Sequence, residues 1–297
     1  MNQDILVSVL IASFNAEKYI VQLLDSIKEQ SYQKLEVVIA DDCSKDDTRR
    51  LIDEWEAENG SRFVAIKKAY AMSNRGTCKN LNAGLAQCEG EYIKIIDGDD
   101  MLCPNAVEDL LTECLDKDLE VLIGDLHWVQ DDGETYAEHY EDRERMKTFY
   151  AMSAEEQHRS LLVDNNVVCS AGEFFKTDFM KRFKGFEEKY DLLEDYPFWL
   201  KVTAAGVKLS FLDVKVAKYR QSTTSVKNPE VNTKIYNERI SKASKKVFYD
   251  LRMKGLLKDK RYGLVARCMR RYIVRDLVIA LGNSNANKVC RVLTRFE

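Results

Sequence analysis

Within the first hundred residues, short apolar runs rich in branched side chains alternate with segments whose apolar residues recur at helical spacing. Leu6 to Ala12 (LVSVLIA), Leu35 to Ala40 (LEVVIA), Arg62 to Lys67 and Glu91 to Ile96 (EYIKII) read as strands. Glu17 to Glu29, Asp47 to Glu58 and Cys78 to Cys88 read as the intervening helices. Ile20, Leu23, Leu24 and Ile27 share a face of the first, Leu51, Ile52 and Trp55 anchor the second, and Leu81 and Leu85 the third. Strands joined by helices of this length imply crossover connections and a mainly parallel α/β sheet. Ligands of such sheets gather beyond the carboxyl ends of the strands. Three of the expected strands end there in polar clusters: Ser13-Phe14-Asn15, Asp41-Asp42 and Asp97-Gly98-Asp99-Asp100.

The remainder is less regular. From about 104 to 225 the pattern is mixed, with strands expected at Glu120 to Val129 and Val207 to Tyr219; beyond about 228 it is almost entirely helical. A chain of 297 residues suffices for a catalytic domain with a smaller appendage. Eight scattered cysteines without a Cys-x-x-Cys pair, and three distant histidines, give no zinc-type spacing and read as reduced thiols. No run approaches the roughly 18 to 20 apolar residues of a spanning helix. Met1-Asn2-Gln3-Asp4 lacks the basic region of a signal peptide, so a cytoplasmic protein is expected. Charge is unevenly distributed: residues 252–297 hold 12 Lys+Arg against 3 Asp+Glu, so the rest carries −13 of a net −4. An acidic main body disfavours nucleic acid as a partner.

The clusters invite chemistry, each beside a plainer reading. Three carboxylates in four residues at 97–100 repel one another unless a cation or hydrogen-bond donors compensate them. A hard divalent ion held by one or two carboxylates and phosphate oxygens would do so, with Gly98 permitting a tight turn. The alternative is a solvated acidic turn. Asp41 suits a uracil N3–H or ribose hydroxyls, or else the capping of the helix that follows. Asn74-Arg75-Gly76, with Lys79 and Asn80 one turn on, suits a diphosphate at a helix N-terminus, or simply a turn. Glu194-Asp195 opens a helix expected over Asp195 to Ala204; it is either a dipole partner or a carboxylate aimed at an acceptor hydroxyl.

Taken together, these segments resemble family 2 glycosyltransferases, which have the GT-A fold and invert the anomeric carbon. The resemblance runs through Val7 to Asn15 (VSVLIASFN), Glu36 to Asp46 (EVVIADDCSKD), Asn74-Arg75-Gly76, Lys79 to Gly84 (KNLNAG), Gly90 to Asp100 (GEYIKIIDGDD) and Glu194 to Leu200 (EDYPFWL), over about residues 5–225. It implies a GT-A domain at 1–227, with a nucleotide-binding half at about 1–103 and an acceptor half at 104–227, and a basic helical region at 228–297. It also implies that Ser13, Asn15 and Glu17 line the nucleotide pocket and that Asp41, beside Asp42, recognises the base, typically uracil. Asn74, Gly76, Lys79 and Asn80 would meet the diphosphate. Asp97 and Asp99 of the Asp-x-Asp motif, with Gly98 between, would hold Mn²⁺ or Mg²⁺ against the donor. Asp195 would be the catalytic base and Glu194 its neighbour. The implied reaction moves a hexose or N-acetylhexosamine from a nucleotide-diphosphate sugar, a UDP-sugar for choice, to a hydroxyl of a glycan or lipid-linked acceptor in surface polysaccharide or glycoconjugate synthesis.

The chain departs from the family at three places. Cys43 stands where Gly is frequent, a position read as tolerant, and Lys79 stands where Arg is frequent. Tyr219-Arg220-Gln221-Ser222 lacks the His that often follows Tyr-Arg, which leaves Arg220 or Ser222 as the diphosphate contact. In the tail, Tyr262, Val265, Met269, Ile273, Leu277 and Ala280 form an apolar stripe, while Arg267, Arg270, Arg271 and Arg275 lie on another face. That pattern fits a helix packed on the domain, a peripheral contact through 252–297 with the anionic inner face of a membrane or with a lipid-diphosphate acceptor, or a homo-oligomer contact. Two other functions remain in view: a silent nucleotide-sugar-binding protein, and a sugar nucleotidyltransferase. The latter opens with a glycine-rich loop that Ala12-Ser13-Phe14-Asn15 does not provide.

Overall fold

A computed structural model of the chain describes residues 4–136, 143–163, 168–190, 192–221 and 234–296. β1 (Val7–Ser13), α1 (Ile20–Lys28), β2 (Leu35–Asp41), α2 (Thr48–Asn59), β3 (Ala65–Tyr70), α3 (Thr77–Leu85) and β4 (Tyr92–Asp97) follow the expected alternation. Then come β5 (Met101–Leu102), α4 (Ala106–Lys117), β6 (Val121–Val129), α5 (Arg143–Ala151), α6 (Ala154–Val163), β7 (Glu173–Lys176), α7 (Thr177–Arg182), α8 (Asp195–Ala204) and β8 (Ser210–Arg220). The tail holds α9 (Glu238–Val247), a π-helical turn at Phe248–Arg252, α10 (Met253–Lys258), α11 (Tyr262–Ala280) and α12 (Lys288–Leu293).

The strands form one sheet in the order β3-β2-β1-β4-β7-β6-β8-β5. The β3-β2-β1-β4 half is parallel, β7 runs antiparallel to both its neighbours, and β6 and β8 are parallel. β1 and β2 are covered on both faces, which is why their sequences are continuous apolar runs. One face packs on Leu23, Leu24 and Ile27 of α1, Ile52 of α2 and Leu110 of α4. The other packs on Leu81 of α3 and on Phe198 and Trp199 of α8. α3 lies so close to β1 that a Cβ on Gly84 would sit 2.3 Å from Leu10 Cδ1.

Parallel register then does the positioning. Ser13 pairs with Asp41 across β1 and β2, and Ala12 pairs with Asp97 across β1 and β4. The three polar clusters therefore emerge side by side at one sheet edge.

Two expectations change. β3 begins at Ala65 rather than Arg62, because residues 60–62 form a 3₁₀ turn. There the Arg62 guanidinium donates to the carbonyls of Lys28, Gln30, Tyr32 and Gln33, clamping the preceding loop. The apolar stripe of α11 also divides. Val265 turns inward with Cys268, Tyr272, Val274 and Val278, whereas Tyr262, Met269, Ile273, Leu277 and Ala280 are exposed. Nor do the arginines form one solvated face, since Arg275 stacks on Tyr236 at 5.3 Å and Tyr272 at 6.0 Å. Val247, Phe248, Leu256, Val265 and Tyr272 join the same apolar cluster as Phe198 and Trp199, so the tail packs on the part of the domain that holds α6 and α8.

Candidate active site

One side of the candidate site is built by the loops after β1, β2 and β3. Asn15, in the left-handed region at φ 50°, donates its backbone N–H to Ser44 Oγ at 2.8 Å and accepts from the Lys45 N–H at 2.9 Å. Glu17 accepts from the Asp47 N–H at 2.9 Å. These bonds fasten the β1 loop to the β2 loop. Asp41 is fully buried and accepts from the Ser44 N–H at 3.0 Å, from the Ser44 hydroxyl and from Arg49 Nε. Arg49 in turn lies 4.7 Å over the Tyr70 ring. Cys43 has φ 68°, a conformation suited to glycine, so the position tolerates small side chains and not branched ones.

The start of α3 differs from the expected phosphate cradle. Asp42 accepts from the backbone N–H groups of Arg75 at 2.7 Å and Gly76 at 2.8 Å, so a carboxylate of the chain itself already holds them. Gly76 takes φ 88°, which allows the loop to turn back onto Asp42. Asn80 donates to the Ala40 carbonyl at 2.7 Å and ties α3 to the end of β2. Asn74 and Lys79 stand exposed at this end of the helix.

The acidic turn is held from three sides. Asp97 and Asp99 are half-buried and Asp100 is buried. A Cβ on Gly98 would meet Ala16 Cβ at 3.2 Å and the Ala12 carbonyl at 3.3 Å, so glycine lets the turn lie on β1. The Arg220 N–H donates to Asp100 Oδ1 at 2.8 Å, and Arg220 Nε donates to the Asp99 carbonyl at 2.6 Å. Its other nitrogens donate to the Asp131 carbonyl and, at 2.9 Å, to Gln22 Oε1. The sequence reading offers Arg220 as a diphosphate contact; here its donors are committed to main chain and Gln22, and it acts as a clamp on the turn. Ser222, the other substitute, lies outside the described residues.

Beneath the turn, Lys94 is wholly buried, and its Nζ donates to the carbonyls of Ile95 at 2.6 Å and Ala171 at 2.7 Å. Burial pulls its pKa down to about 8, against opposing attraction from Glu173, Asp100 and Asp97. Burial and the charges of Asp99 and Asp97 push the Asp100 carboxyl well above the usual range. The turn thus carries more negative charge than its surroundings offset. Among the described residues no three His, Cys, Asp or Glu side chains are arranged to hold an ion alone. Two carboxylates whose shell is completed by diphosphate oxygens suit a hard divalent cation.

Opposite stands α8, anchored by buried Phe198, Trp199 and Val202, with Glu194 and Asp195 half-buried at its start. Asp195 Oδ1 accepts from the Tyr196 N–H at 2.6 Å. One residue escapes the sequence reading. Glu173, on β7, is buried, and its Oε1 has no hydrogen-bond partner. Its pKa is driven well up by burial, then by the charges of Asp195 and Glu194, with a further push from Asp97 and an opposing pull from Lys94. Glu173 thus feels the charge of both the Asp-x-Asp turn and the start of α8. The only sequence signal was the β-prone pair Phe174-Phe175 beside it.

Buried polar atoms without partners collect at this edge. Ser13 Oγ, Tyr70 Oη, Asn80 Oδ1, Asp100 Oδ2 and Glu173 Oε1 all belong to the strand ends or the loops and helix beside them. Native proteins leave few such atoms unsatisfied, and those at this edge are groups that a polar ligand could satisfy.

Comparisons with known proteins bear on the family and the fold. The chain is 30% identical over 132 residues to glycosyltransferase GlyG of Streptococcus pneumoniae, covering 44% of this chain and 42% of that protein. It is 25% identical over 224 residues to the Escherichia coli UDP-Glc:alpha-D-GlcNAc-diphosphoundecaprenol beta-1,3-glucosyltransferase WfaP, covering 74% and 79%. Staphylococcus aureus TarS in complex with UDP-GlcNAc superposes with a TM-score of 0.60 at 21% identity, over 81% of this chain and 66% of that one. A Pyrobaculum calidifontis mannosyltransferase with GDP-Man and Mn²⁺ gives 0.60 at 18%, over 98% and 83%. The fold is that of GT-A glycosyltransferases. The profile described as glycosyl transferase family 2 matches residues 8–180, more than half the chain, and the chain belongs to that family.

Proposed function

We propose that this chain transfers a hexose or N-acetylhexosamine from a UDP-sugar, with inversion, to a hydroxyl of a glycan or lipid-linked acceptor. The observation that carries this is the convergence of partnerless buried polar atoms where Ser13, Asp41 and Asp97 emerge side by side. In this reading Ser13, Asn15, Glu17, Asp41 and Asp42 form and brace the nucleotide pocket, while Asn74, Lys79 and the loop at Gly76 border the diphosphate. Asp97 and Asp99 would hold Mn²⁺ or Mg²⁺, whose charge stabilises the departing diphosphate. Asp195 takes the acceptor hydroxyl proton as that oxygen attacks the anomeric carbon and the bond to the diphosphate oxygen breaks. Glu194 flanks the base. TarS with UDP-GlcNAc supports a uridine donor, and the name of WfaP supports a lipid-linked acceptor.

The test is a thermal-shift screen of UDP-, GDP- and dTDP-sugars with Mn²⁺, followed by nucleotide release with and without acceptor lipid or glycan. Selective stabilisation by a UDP-sugar and acceptor-dependent release are expected. Binding without release would leave a silent nucleotide-sugar-binding protein, and selective stabilisation by GDP-sugars would change the donor.

A further inference from the structure

The outer face of α11 is apolar where a solvent-facing helix is normally polar. Eight of the fifteen exposed large apolar side chains among the described residues fall within 262–296, a concentration in one segment and not the ordinary scatter. Ile273 is 55% exposed, and Met269 and Leu277 stand one turn before and after it. The 19-residue helix is about 28 Å long. It is not a detached segment: Val265, Cys268 and Tyr272 fix its inner face in the main apolar cluster. α12 is held to it by Cys290 against Val274 and Val278 and adds exposed Val289 and Val292, and Phe296 is exposed in the 3₁₀ turn at Thr294–Phe296 that follows.

Charge decides between occupants. Residues 262–296 contain seven Lys+Arg, and Asp276 is the one acidic residue. Asp276 is bonded to Lys245 of its own chain, so it is already neutralised. Arg267, Arg270, Lys288, Arg291 and Arg295 are exposed around the apolar surface. A second copy packed face to face here would bring cations against cations. Anionic headgroups would meet them instead, while apolar side chains enter the headgroup–acyl boundary. No described helix is long and apolar enough to cross a membrane, which leaves a helix lying on one.

We propose that α11, with α12 beside it, seats the protein on the surface of an anionic lipid bilayer, apolar stripe inward and cations at the headgroups. This does not depend on the donor assignment.

The experiment is co-sedimentation of the full chain with phosphatidylglycerol–phosphatidylcholine vesicles and with pure phosphatidylcholine vesicles, at low and high salt. Two variants accompany it: Ile273→Ser with Leu277→Ser, and Arg267→Gln with Arg270→Gln and Arg291→Gln. All five positions are exposed, so circular dichroism and the thermal midpoint should not change. The parent is expected to prefer anionic vesicles, and each variant to lose about tenfold or more of that binding. High salt should weaken the parent's binding. No preference for anionic vesicles by the parent overturns the proposal, as does undiminished binding by both variants. A parent dimer that the Ile273→Ser, Leu277→Ser variant converts to monomer, by light scattering, would give the face to a second copy.

Discussion

Arg220 and Asp100, at the ends of β8 and of the acidic turn, are joined by a backbone N–H donating to Oδ1 at 2.8 Å, while Arg220 Nε reaches the neighbouring Asp99 carbonyl at 2.6 Å. A buried cation thereby fixes the backbone of the turn that carries the half-buried Asp99. Arg220→Ala should cost about 1–3 kcal/mol, since it strips the half-buried Asp99 and Asp131 carbonyls of a charged donor. Chemical denaturation measures this, and a loss within experimental scatter would refute the clamp.

Asp99→Ala should abolish metal-dependent nucleotide-sugar binding while the fold persists. Calorimetric titration of a donor with and without Mn²⁺, beside circular dichroism, separates the two. Transfer at the parental rate would remove Asp99 from the metal site.

Asp195→Asn should bind donor nearly as the parent does and lose about 10²–10⁴-fold in turnover, the range for a general base. If Glu194→Gln is crippled and Asp195→Asn is not, the two exchange roles.

Glu173→Gln should show opposite signs in stability and in catalysis. The folded state raises the Glu173 pKa above its ordinary 4.5, chiefly through burial, so the folded chain holds this proton more tightly than the unfolded one. Stability from this group is complete below that ordinary value and declines as pH rises through the folded one. Gln cannot ionise and escapes the decline. The variant should therefore melt higher than the parent at about pH 8, with the gap closing near about pH 4. If Glu173 meets the donor sugar, UDP-sugar binding should weaken while UDP binding does not. Equal loss of both would reduce Glu173 to a structural role.

Cys43→Gly should leave stability within about 1 kcal/mol of the parent, because relief at φ 68° offsets the greater freedom of glycine in the unfolded chain. Cys43→Val should cost more than Cys43→Gly. Thermal melts of the pair test the point, and equal effects would contradict it.

The sheet was legible where its signal was local. β1, β2 and β4 are apolar runs buried on both faces, and α8 spans the expected Asp195–Ala204. β7 was not legible: four residues without periodicity become a strand only by pairing with β4 and β6, both distant in sequence. Glu173 was lost with it. The clamps made by Arg62 and Arg220 were not legible for a related reason, since their partners are mainly main-chain carbonyls, which leave no trace in side-chain patterns. Residues of α11 close in helical angle separated into inner and outer faces once Cys268, Tyr272 and Val278 claimed the packing side.

The shared cluster behind α8 bears on how such a chain is cut and recombined. Val247, Phe248 and Leu256 are part of the wall against which Trp199 rests, and buried Arg252 donates to the Leu162 and Val163 carbonyls of α6. A chimera joined near residue 228 would pair one protein's wall with another's helix and leave two carbonyls without their donor. Grafts that preserve the fold should carry α6, α8 and the tail together, because the smallest exchangeable unit is set by the back of the acceptor half and not by the stretch of sequence between 221 and 234.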